Sequence, residues 1–367
     1  MPKRKKILIA AGGTGGHLFP AQALAEQLLE EDPLIELFFA GSGLSLNPYL
    51  NKERFRFCEV VSTTPFRGSF LKALKSVFLL MRGIKESYAL LLKEKPTLIV
   101  GFGSFHTFPL LCAAVLRKVP IALFESNAIP GKVVRLFSKR AQLTGIYFSE
   151  ARRYLKGNTV EVEIPTQSSL TPSALSKQQA REELGLDPHL PTLLVFGGSQ
   201  GAQGINRNII GILPLLKKAS HPFQLIHLTG CEETALSVRK LCEELEIRCY
   251  IKKFEKGMQK VWSAADKVIC RAGAMTLSEL LHYEVPGILI PYPAASDGHQ
   301  LKNALFIEQK VGGAVHLPQS SLTPELLVQT IIDFQGAKSA QMKAAIQQFK
   351  SEQKRASFCK LILKGES

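Results

Sequence analysis

The chain has 367 residues, 46% hydrophobic and 21% charged, so it carries enough apolar material to fold throughout. A chain of this length exceeds what one hydrophobic core usually supports, and we expect two domains. Its net charge of +15 at pH 7 attracts anionic partners, which are nucleic acid, anionic lipid or phosphorylated ligands.

Other features of the sequence exclude some of these partners and some classes of protein. Basic residues do not alternate with aromatic residues on a recognisable reading element, so we expect no nucleic-acid partner. The seven cysteines are scattered without a Cys-x-x-Cys pair, which fits neither a disulfide framework nor a zinc site. The apolar run at residues 7–11 is too short for a signal peptide, and no run approaches the roughly 20 residues that span a bilayer. We expect a protein of the reducing cytoplasm.

Short runs rich in Ile, Leu, Val and Phe alternate with longer amphipathic stretches, which is typical of parallel strands joined by helices. The first half predicts strands at 7–11, 35–40, 58–61, 98–102 and 121–124. Residues 157–177 are rich in turn formers and predict an interdomain connection. The second half predicts strands at 193–196, 224–228, 249–251, 267–270, 287–290 and 313–316. The fold class is therefore α/β, with two Rossmann-like domains facing each other across a cleft.

The first glycine-rich loop, residues 11–17, follows a strand and precedes a helix predicted to begin around Pro20. Its backbone amides suit a phosphate group; the alternative is a tight turn that only lets strand and helix pack closely. A histidine just past such a loop can reach a bound hydroxyl and act as a base, which makes His17 a candidate, although a structural histidine is the simpler interpretation.

Three later segments have the same strand-to-helix setting. Residues 197–202 form a second glycine-rich loop with the hydroxyl of Ser199. In residues 270–280, Glu279 could accept hydrogen bonds from a ribose diol, or could merely favour the helix dipole. The amides of Gln300 and Asn303 suit sugar hydroxyls, or could simply cap a helix. No Asp-x-Asp pair occurs, so no metal need be invoked. We also expect no cofactor.

Six segments, taken in order, carry a family resemblance. They are Gly-Gly-Thr-Gly-Gly-His at 12–17, Gly-Phe-Gly-Ser at 101–104, Glu-Ser-Asn at 125–127, Gly-Gly-Ser-Gln-Gly-Ala at 197–202, Arg-Ala-Gly-Ala-Met-Thr-Leu-Ser-Glu at 271–279, and Gln300 with Asn303. As an ordered set they resemble the MurG family of glycosyltransferases. The resemblance spans nearly the whole chain. It implies a GT-B fold and transfer of N-acetylglucosamine (GlcNAc) from UDP-GlcNAc to the 4-hydroxyl of the muramyl sugar of lipid I. The product would be lipid II, formed with inversion in peptidoglycan synthesis.

The resemblance also implies site residues. Contacts to the donor are expected from Thr14, Gly15, Gly16, Asn127, Ser199, Ala274, Met275, Thr276, Leu277, Ser278, Glu279 and Gln300. Contacts to the acceptor are expected from Thr14, His17, Gly103, Ser104 and Asn127. His17 is the expected base, with Glu125 as a second candidate. Two positions depart from the family pattern: Ser126 replaces a glutamine, and Gln167 stands where an arginine would approach the donor, so it can hydrogen-bond but cannot neutralise charge.

The implied domains are 1–160 for acceptor and membrane, a linker at 161–178, 179–337 for UDP-GlcNAc, and a helical segment at 338–367 that packs back on the first domain. Apolar and basic residues interleave at helical spacing between 66 and 85, which predicts an amphipathic helix for an anionic membrane surface. The apolar residues are Phe66, Phe70, Leu74, Val77, Phe78, Met81 and Ile84, and the basic ones Arg67, Lys72, Lys75, Arg82 and Lys85. The alternative is a crossover helix whose lysines face water. A lipid acceptor favours the membrane interpretation and a peripheral location on the cytoplasmic face of the bacterial membrane.

Two rival functions remain open. Another GT-B transferase with a soluble acceptor would explain the donor loops without the membrane helix. A non-catalytic UDP-sugar-binding protein of cell-wall assembly would bind the donor without transfer.

Overall fold

We describe the protein from a computed structural model, which covers residues 5–64, 70–166, 175–198, 201–219 and 222–365, with backbone alone at 70–72. The chain divides into two compact units. One consists of Met1–Ser169 and Arg355–Ser367, and the other of Leu170–Lys354. The chain thus passes from the first unit to the second and returns to the first at its end.

The described part of the first unit contains a seven-stranded parallel sheet in the order β3-β2-β1-β4-β5-β6-β7. Its strands are β1 Lys6–Ala10, β2 Glu36–Gly41, β3 Phe57–Glu59, β4 Leu98–Gly101, β5 Ile121–Glu125, β6 Leu143–Ile146 and β7 Thr159–Glu161. Its first four α-helices are α1 Gly15–Glu31, α2 Phe70–Glu94, α3 Phe108–Arg117 and α4 Lys132–Phe137.

The described part of the second unit contains a six-stranded parallel sheet in the order β10-β9-β8-β11-β12-β13. Its strands are β8 Thr192–Phe196, β9 Gln224–Leu228, β10 Cys249–Lys252, β11 Lys267–Cys270, β12 Gly287–Leu289 and β13 Ala314–His316. Its helices are α5 Lys177–Glu183, α6 Gln203–Lys218, α7 Glu232–Glu244, α8 Met258–Ala264, α9 Ala274–Tyr283, α10 His299–Phe306, α11 Pro324–Asp333 and α12 Gly336–Glu352. The last helix, α13 Phe358–Gly365, belongs to the first unit.

Both sheets have the doubly wound strand order. The central strands are buried along most of their length, as expected when helices cover both faces of a parallel sheet. In each sheet the chain builds outward on one side of the first strand and then crosses to the other side, so β1 lies between β2 and β4, and β8 between β9 and β11. Ligands of such sheets bind beyond the carboxyl ends of the strands at this switch point.

The predicted α/β class and all eleven predicted strands are confirmed, each within two residues of its predicted bounds. Two strands were not predicted. β6 contains Gly145, where a Cβ atom would lie 2.7 Å from the ring of Phe358, so its glycine reflects packing by the end of the chain. β7 lies inside the stretch 157–177, which the sequence predicts as a connection; this prediction is wrong for residues 159–161. β7 is a half-buried edge strand of three residues, too short to show an apolar pattern.

Two helix predictions also need correction. α1 begins at Gly15, and Pro20 lies inside it, whereas the sequence predicted a helix that begins around Pro20. The helical stretch predicted at the end of the chain consists of two helices, α12 in the second unit and α13 in the first. Among the residues that the structure describes, no helix is both long and apolar enough to cross a membrane.

We predict that Phe358→Ala destabilises the first unit by about 3 to 5 kcal/mol. The Phe358 ring is 2% exposed and its centroid lies 5.5 Å from that of Phe124, so truncation leaves a cavity beside β5 and β6. Urea unfolding followed by far-UV circular dichroism measures the loss, with the exposed Lys360→Ala as control. A loss below about 1 kcal/mol would show that α13 does not complete this core.

Candidate functional site

The glycine-rich loop after β1 runs directly into α1. Thr14 precedes the helix, and its carbonyl accepts hydrogen bonds from the backbone N–H groups of His17 at 3.1 Å and Leu18 at 3.3 Å. Gly15 and Gly16 therefore form the first helical turn, where backbone N–H groups are not used within the helix. His17 belongs to the same turn and is half-buried. This helix start presents amide donors suited to an anion.

The loop after β4 lies against this glycine loop. A Cβ atom on Gly12 would lie 2.8 Å from Cβ of His106, and one on Gly13 would lie 3.2 Å from Cδ2 of His106 and 3.6 Å from Oγ of Ser104. Gly13, Gly103 and Ser104 all have positive φ, at 87°, 76° and 71°. The structure therefore brings the loop that carries Thr14 and His17 into contact with the loop that carries Gly103 and Ser104.

His106 is a residue that the sequence analysis missed. Its Nδ1 lies 2.9 Å from the carbonyl oxygen of Ser42. Because a carbonyl can only accept, Nδ1 is the donor, and Nε2 is the acceptor nitrogen of the neutral ring. Such an anchored imidazole has the form of a general base. The available signal was its place two residues after the Gly101–Ser104 segment.

Glu125, at the end of β5, is 5% exposed and holds the loop that follows it. Its Oε1 accepts hydrogen bonds from the backbone N–H of Asn127 at 2.9 Å and from its Nδ2 at 3.0 Å, and its Oε2 accepts from the N–H of Gly131 at 2.8 Å. Burial raises the pKa of Glu125, and these hydrogen bonds oppose the shift. The carboxylate thus orients Asn127 and the start of α4, while Ser126, between Glu125 and Asn127 in the sequence, is half-buried.

The second unit repeats this construction after β8. Gly198 and Gly201 have φ of +92° and +71°, and a Cβ atom on Gly201 would lie 2.5 Å from the carbonyl oxygen of Thr229. The loop therefore leads into α6 in close contact with the segment that follows β9. Ser199 and Gln167, both predicted donor contacts, lie outside the described residues.

A buried network fixes the first turns of α6. Nδ2 of Asn206 donates to the carbonyl of Thr229 at 2.9 Å, so its Oδ1 must accept from Nε2 of His227 at 3.0 Å. Burial lowers the pKa of His227 to about 3, which keeps the ring neutral. Sequence analysis missed both residues because neither lies in a glycine-rich segment.

The predicted nucleotide residues form the first turns of α9. Ala274 is 6% exposed and Leu277 is fully buried, so Leu277 can offer a ligand only its backbone. Met275, Thr276 and Ser278 are half-buried. The hydroxyl of Ser278 donates to the carbonyl of Met275 at 2.8 Å.

Glu279 accepts a hydrogen bond from Trp262, the only tryptophan in the chain, with Nε1 and Oε2 at 3.0 Å. Trp262 is 1% exposed, lies parallel to the ring of Tyr283 and meets Phe196 edge-on. Burial among these groups raises the pKa of Glu279 to about 7, and the bond from Trp262 opposes the shift. Glu279 retains partial exposure. Its ionised form, with two acceptor oxygens, therefore predominates only above neutral pH.

The predicted sugar-binding amides lie at the start of α10. Oε1 of Gln300 accepts from the backbone N–H of Tyr292 at 2.9 Å, so the side chain is oriented along the loop that follows β12. Asn303 is fully buried, and its Nδ2 donates to the carbonyl of Ala272 at 3.1 Å. Gln300 can still donate through its amide nitrogen, whereas Asn303 holds α10 against the segment before α9.

These features define a class of protein. Each unit is a doubly wound α/β sheet with a glycine-rich loop between its first strand and the next helix, and the second unit places a carboxylate and an amide beyond neighbouring strands. This is the architecture of a GT-B glycosyltransferase.

Comparison with known proteins identifies the family. The glycosyltransferase family 28 N-terminal domain matches residues 7–146, and the glycosyltransferase family 28 C-terminal domain matches residues 192–358. The chain therefore belongs to glycosyltransferase family 28, and its predicted resemblance to the MurG family is confirmed.

Individual relatives agree. The UDP-N-acetylglucosamine–N-acetylmuramyl-(pentapeptide) pyrophosphoryl-undecaprenol N-acetylglucosamine transferase of Protochlamydia amoebophila is 40% identical over 362 residues, covering 98% of this chain and 95% of its own. The protein of the same name from Chlamydia pneumoniae is 35% identical over 90% of each chain. The crystal structure of Acinetobacter baumannii MurG shares the fold, with a TM-score of 0.75 and 23% identity over 98% of both chains.

We predict that Glu279→Gln makes folding less dependent on pH. Folded Glu279 keeps its proton up to about pH 7, whereas an ordinary glutamate loses it near 4.5, so the wild type loses folding free energy as pH rises from 5 to 8. The variant lacks this loss. Between pH 5 and 8, the difference in unfolding free energy between the two proteins should therefore change by on the order of 3 kcal/mol. Urea unfolding at both pH values measures it. The exposed Glu244→Gln serves as control. The raised pKa would be contradicted if the difference in unfolding free energy between wild type and Glu279→Gln stayed the same at both pH values, as it should for Glu244→Gln.

Proposed function

We propose that the protein transfers GlcNAc from UDP-GlcNAc to the 4-hydroxyl of the muramyl sugar of lipid I, giving lipid II with inversion at the anomeric carbon. The observation that carries this proposal is the 40% identity, over 98% of the chain, to a relative whose name states that transfer. Both substrates contain a diphosphate. A glycine-rich helix start in each unit and a net charge of +15 agree with two such ligands.

We assign the donor to the second unit. The start of α6 would receive the diphosphate, Glu279 the ribose diol, and Gln300 the GlcNAc hydroxyls. The first turns of α9, with Thr276 and the backbone of Leu277, would surround the nucleotide. From the resemblance, Thr14, Gly15, Gly16 and Asn127 remain predicted to contact the donor as well.

We assign the acceptor to the first unit, within residues 1–160. The start of α1 would receive the diphosphate of lipid I, and Gly103 and Ser104 would line the same edge of the sheet. Asn127, held by Glu125, would bind the muramyl sugar. The contacts between the loops after β1 and β4, and the approach of Gly103 to Val134 of α4, support this grouping.

The reaction needs a base and stabilisation of the leaving group. A base removes the proton of the 4-hydroxyl while its oxygen attacks the anomeric carbon, and UDP departs with added negative charge. The N-terminus of α6 supplies aligned backbone dipoles for that charge. His17 is our candidate base because it lies in the first turn of α1. Glu125 is better suited to positioning, since both of its oxygens hold its own loop.

Transfer of labelled GlcNAc from UDP-GlcNAc to a short-chain lipid I analogue tests the function and the base together. We expect the wild type to turn over. In His17→Ala we expect a kcat at least about 10²-fold lower, in line with the loss of a general base. Glu125→Gln should mainly raise the KM for the acceptor, because the amide has one acceptor oxygen where the carboxylate has two, so the hydrogen bonds that hold Asn127 and Gly131 cannot all be kept. The exposed His189→Ala serves as control.

The outcomes separate the candidates. If His17→Ala keeps the wild-type kcat and His106→Ala lowers it sharply, His106 is the base and His17 is not. No transfer by the wild type, despite UDP-GlcNAc binding, would contradict the proposed function and favour a non-catalytic binding protein. Transfer to soluble sugar acceptors as fast as to the lipid I analogue would favour the rival function, a GT-B transferase with a soluble acceptor.

The exposed side of α2 supports a membrane surface in the first unit. Leu74, Val77, Phe78 and Met81 are 60%, 51%, 70% and 64% exposed and follow helical spacing. The opposite side of the helix is buried, including Leu80, Ser87 and Leu91.

This apolar stripe bears on the alternative interpretation of α2. A crossover helix with only lysines facing water would not present such a stripe, whereas exposed Lys75, Arg82 and Lys85 beside it suit anionic headgroups. Phe66 and Arg67 lie outside the described residues, as do the side chains of Phe70 and Lys72. We propose that α2 attaches the enzyme peripherally to the cytoplasmic face of the membrane.

We predict that Leu74→Glu reduces binding to anionic phospholipid vesicles at least about tenfold, because it places a charge within the apolar stripe. Leu236→Glu is the matched control, since Leu236 is 56% exposed on α7 of the second unit. Cosedimentation with the vesicles measures binding. Equal loss in the two variants would contradict a membrane role for α2.

A further inference from the structure

Arg271, directly after β11, is a buried cation held by neutral oxygens. Its side chain is 8% exposed. Nη1 donates to the carbonyls of Ile290 at 3.0 Å and Pro291 at 3.2 Å, and Nη2 donates to Oε1 of Gln319 at 2.6 Å. Burial lowers the pKa of Arg271, but a guanidinium remains charged at neutral pH. The site therefore contains a positive charge whose described hydrogen-bond partners do not cancel it.

Gln319 makes a second contact, to the helix after β8. A Cβ atom on Gly204 would lie 2.9 Å from Oε1 and 3.0 Å from Cδ of Gln319. Gly204 is the second residue of α6. One amide side chain thus touches both the buried cation and the first turn of the helix that we assign to the donor diphosphate.

The sheet places these two groups side by side. β8 and β11 are neighbouring parallel strands, and their last residues, Phe196 and Cys270, are paired in register. The glycine loop leading to α6 and Arg271 therefore leave the sheet at the same edge. Gln319 follows β13, at the carboxyl end of the same sheet.

The chemistry of residue 319 matters because a carboxylate would fit almost the same space. A glutamate would also accept from Nη2 of Arg271, but it would neutralise the guanidinium. A neutral amide satisfies that donor and leaves a full positive charge where burial weakens solvent screening. The N-terminus of α6 adds its own partial positive charge. Together they suit two adjacent phosphate groups.

We propose that Gln319 is a positioning residue for the donor diphosphate: it fixes Arg271 relative to the start of α6 while leaving the charge of Arg271 available to the ligand. This inference rests on the proposed donor site in the second unit. It assigns a role in phosphate recognition, distinct from recognition of the nucleoside.

Comparison of UDP with uridine tests this distinction. Trp262, the only tryptophan, donates to Glu279, which we assign to the ribose, so we expect its fluorescence to report binding of both ligands. We expect Gln319→Glu to weaken UDP binding at least about tenfold while uridine binding changes less than about twofold. Only UDP has phosphates that interact with the charge of Arg271, which the new carboxylate would neutralise. Ser320→Glu is the matched control: it adds the same charge at an exposed neighbour, where solvent screens it.

Gly204→Ala tests the contact from the other side and guards against misfolding of the Gln319→Glu variant. The new methyl group displaces only the far end of a flexible side chain, so the variant should fold. We expect it to weaken UDP binding roughly fivefold, and to have no further effect in a Gln319→Ala background, because coupled residues are not additive.

The results distinguish this inference from the proposed function. Equal weakening of UDP and uridine in Gln319→Glu, or equal effects of Gln319→Glu and Ser320→Glu, would overturn the inference. If the wild type binds UDP and neither Gln319→Glu nor Gly204→Ala changes that binding, the inference is overturned and the proposed function is not. A wild type that binds no UDP would contradict the donor site itself, and the inference with it.

Discussion

The glycines after β1 and β8 allow neighbouring loops to approach more closely than side chains permit. In the first unit the ring of His106 occupies the space beside Gly12 and Gly13, and in the second the carbonyl of Thr229 occupies the space beside Gly201. These contacts place each helix start beside the loop of an adjacent strand. The amide donors of α1 and α6 are thereby combined with side chains from elsewhere in the same unit, which a helix start alone would lack.

One property is shared by three ionisable groups at the carboxyl ends of strands: Glu125 ends β5, and Arg271 and Glu279 follow β11. Glu125 is held by backbone and amide N–H groups, Glu279 by an indole N–H, and Arg271 by carbonyl and amide oxygens. Holding a charge with neutral partners costs folding free energy, because no opposite charge compensates for lost hydration. It also leaves the charge able to act on a ligand. In the proposed donor and acceptor sites, these positions would exchange folding stability for binding.

The sequence predicted the strands well because both faces of a parallel sheet are buried, which produces the continuous apolar runs that were recognised. It missed β6, whose Gly145 is covered by Phe358 of α13, and β7, a half-buried edge strand of only three residues. The glycine loops and Glu279 were identified from their motifs. Their partners His106, Trp262 and Gln319 were not, because each contact depends on residues that the fold, and not the local sequence, brings together.

The stereochemistry of the product tests the central claim most directly. The account predicts that UDP-GlcNAc, whose sugar is α-linked, gives a β-1,4-linked GlcNAc on the muramyl sugar when one displacement inverts the anomeric carbon. Proton NMR of the anomeric position in the isolated product distinguishes the two linkages. A β linkage at the 4-hydroxyl would support the account; an α linkage, or GlcNAc attached at another hydroxyl, would contradict it.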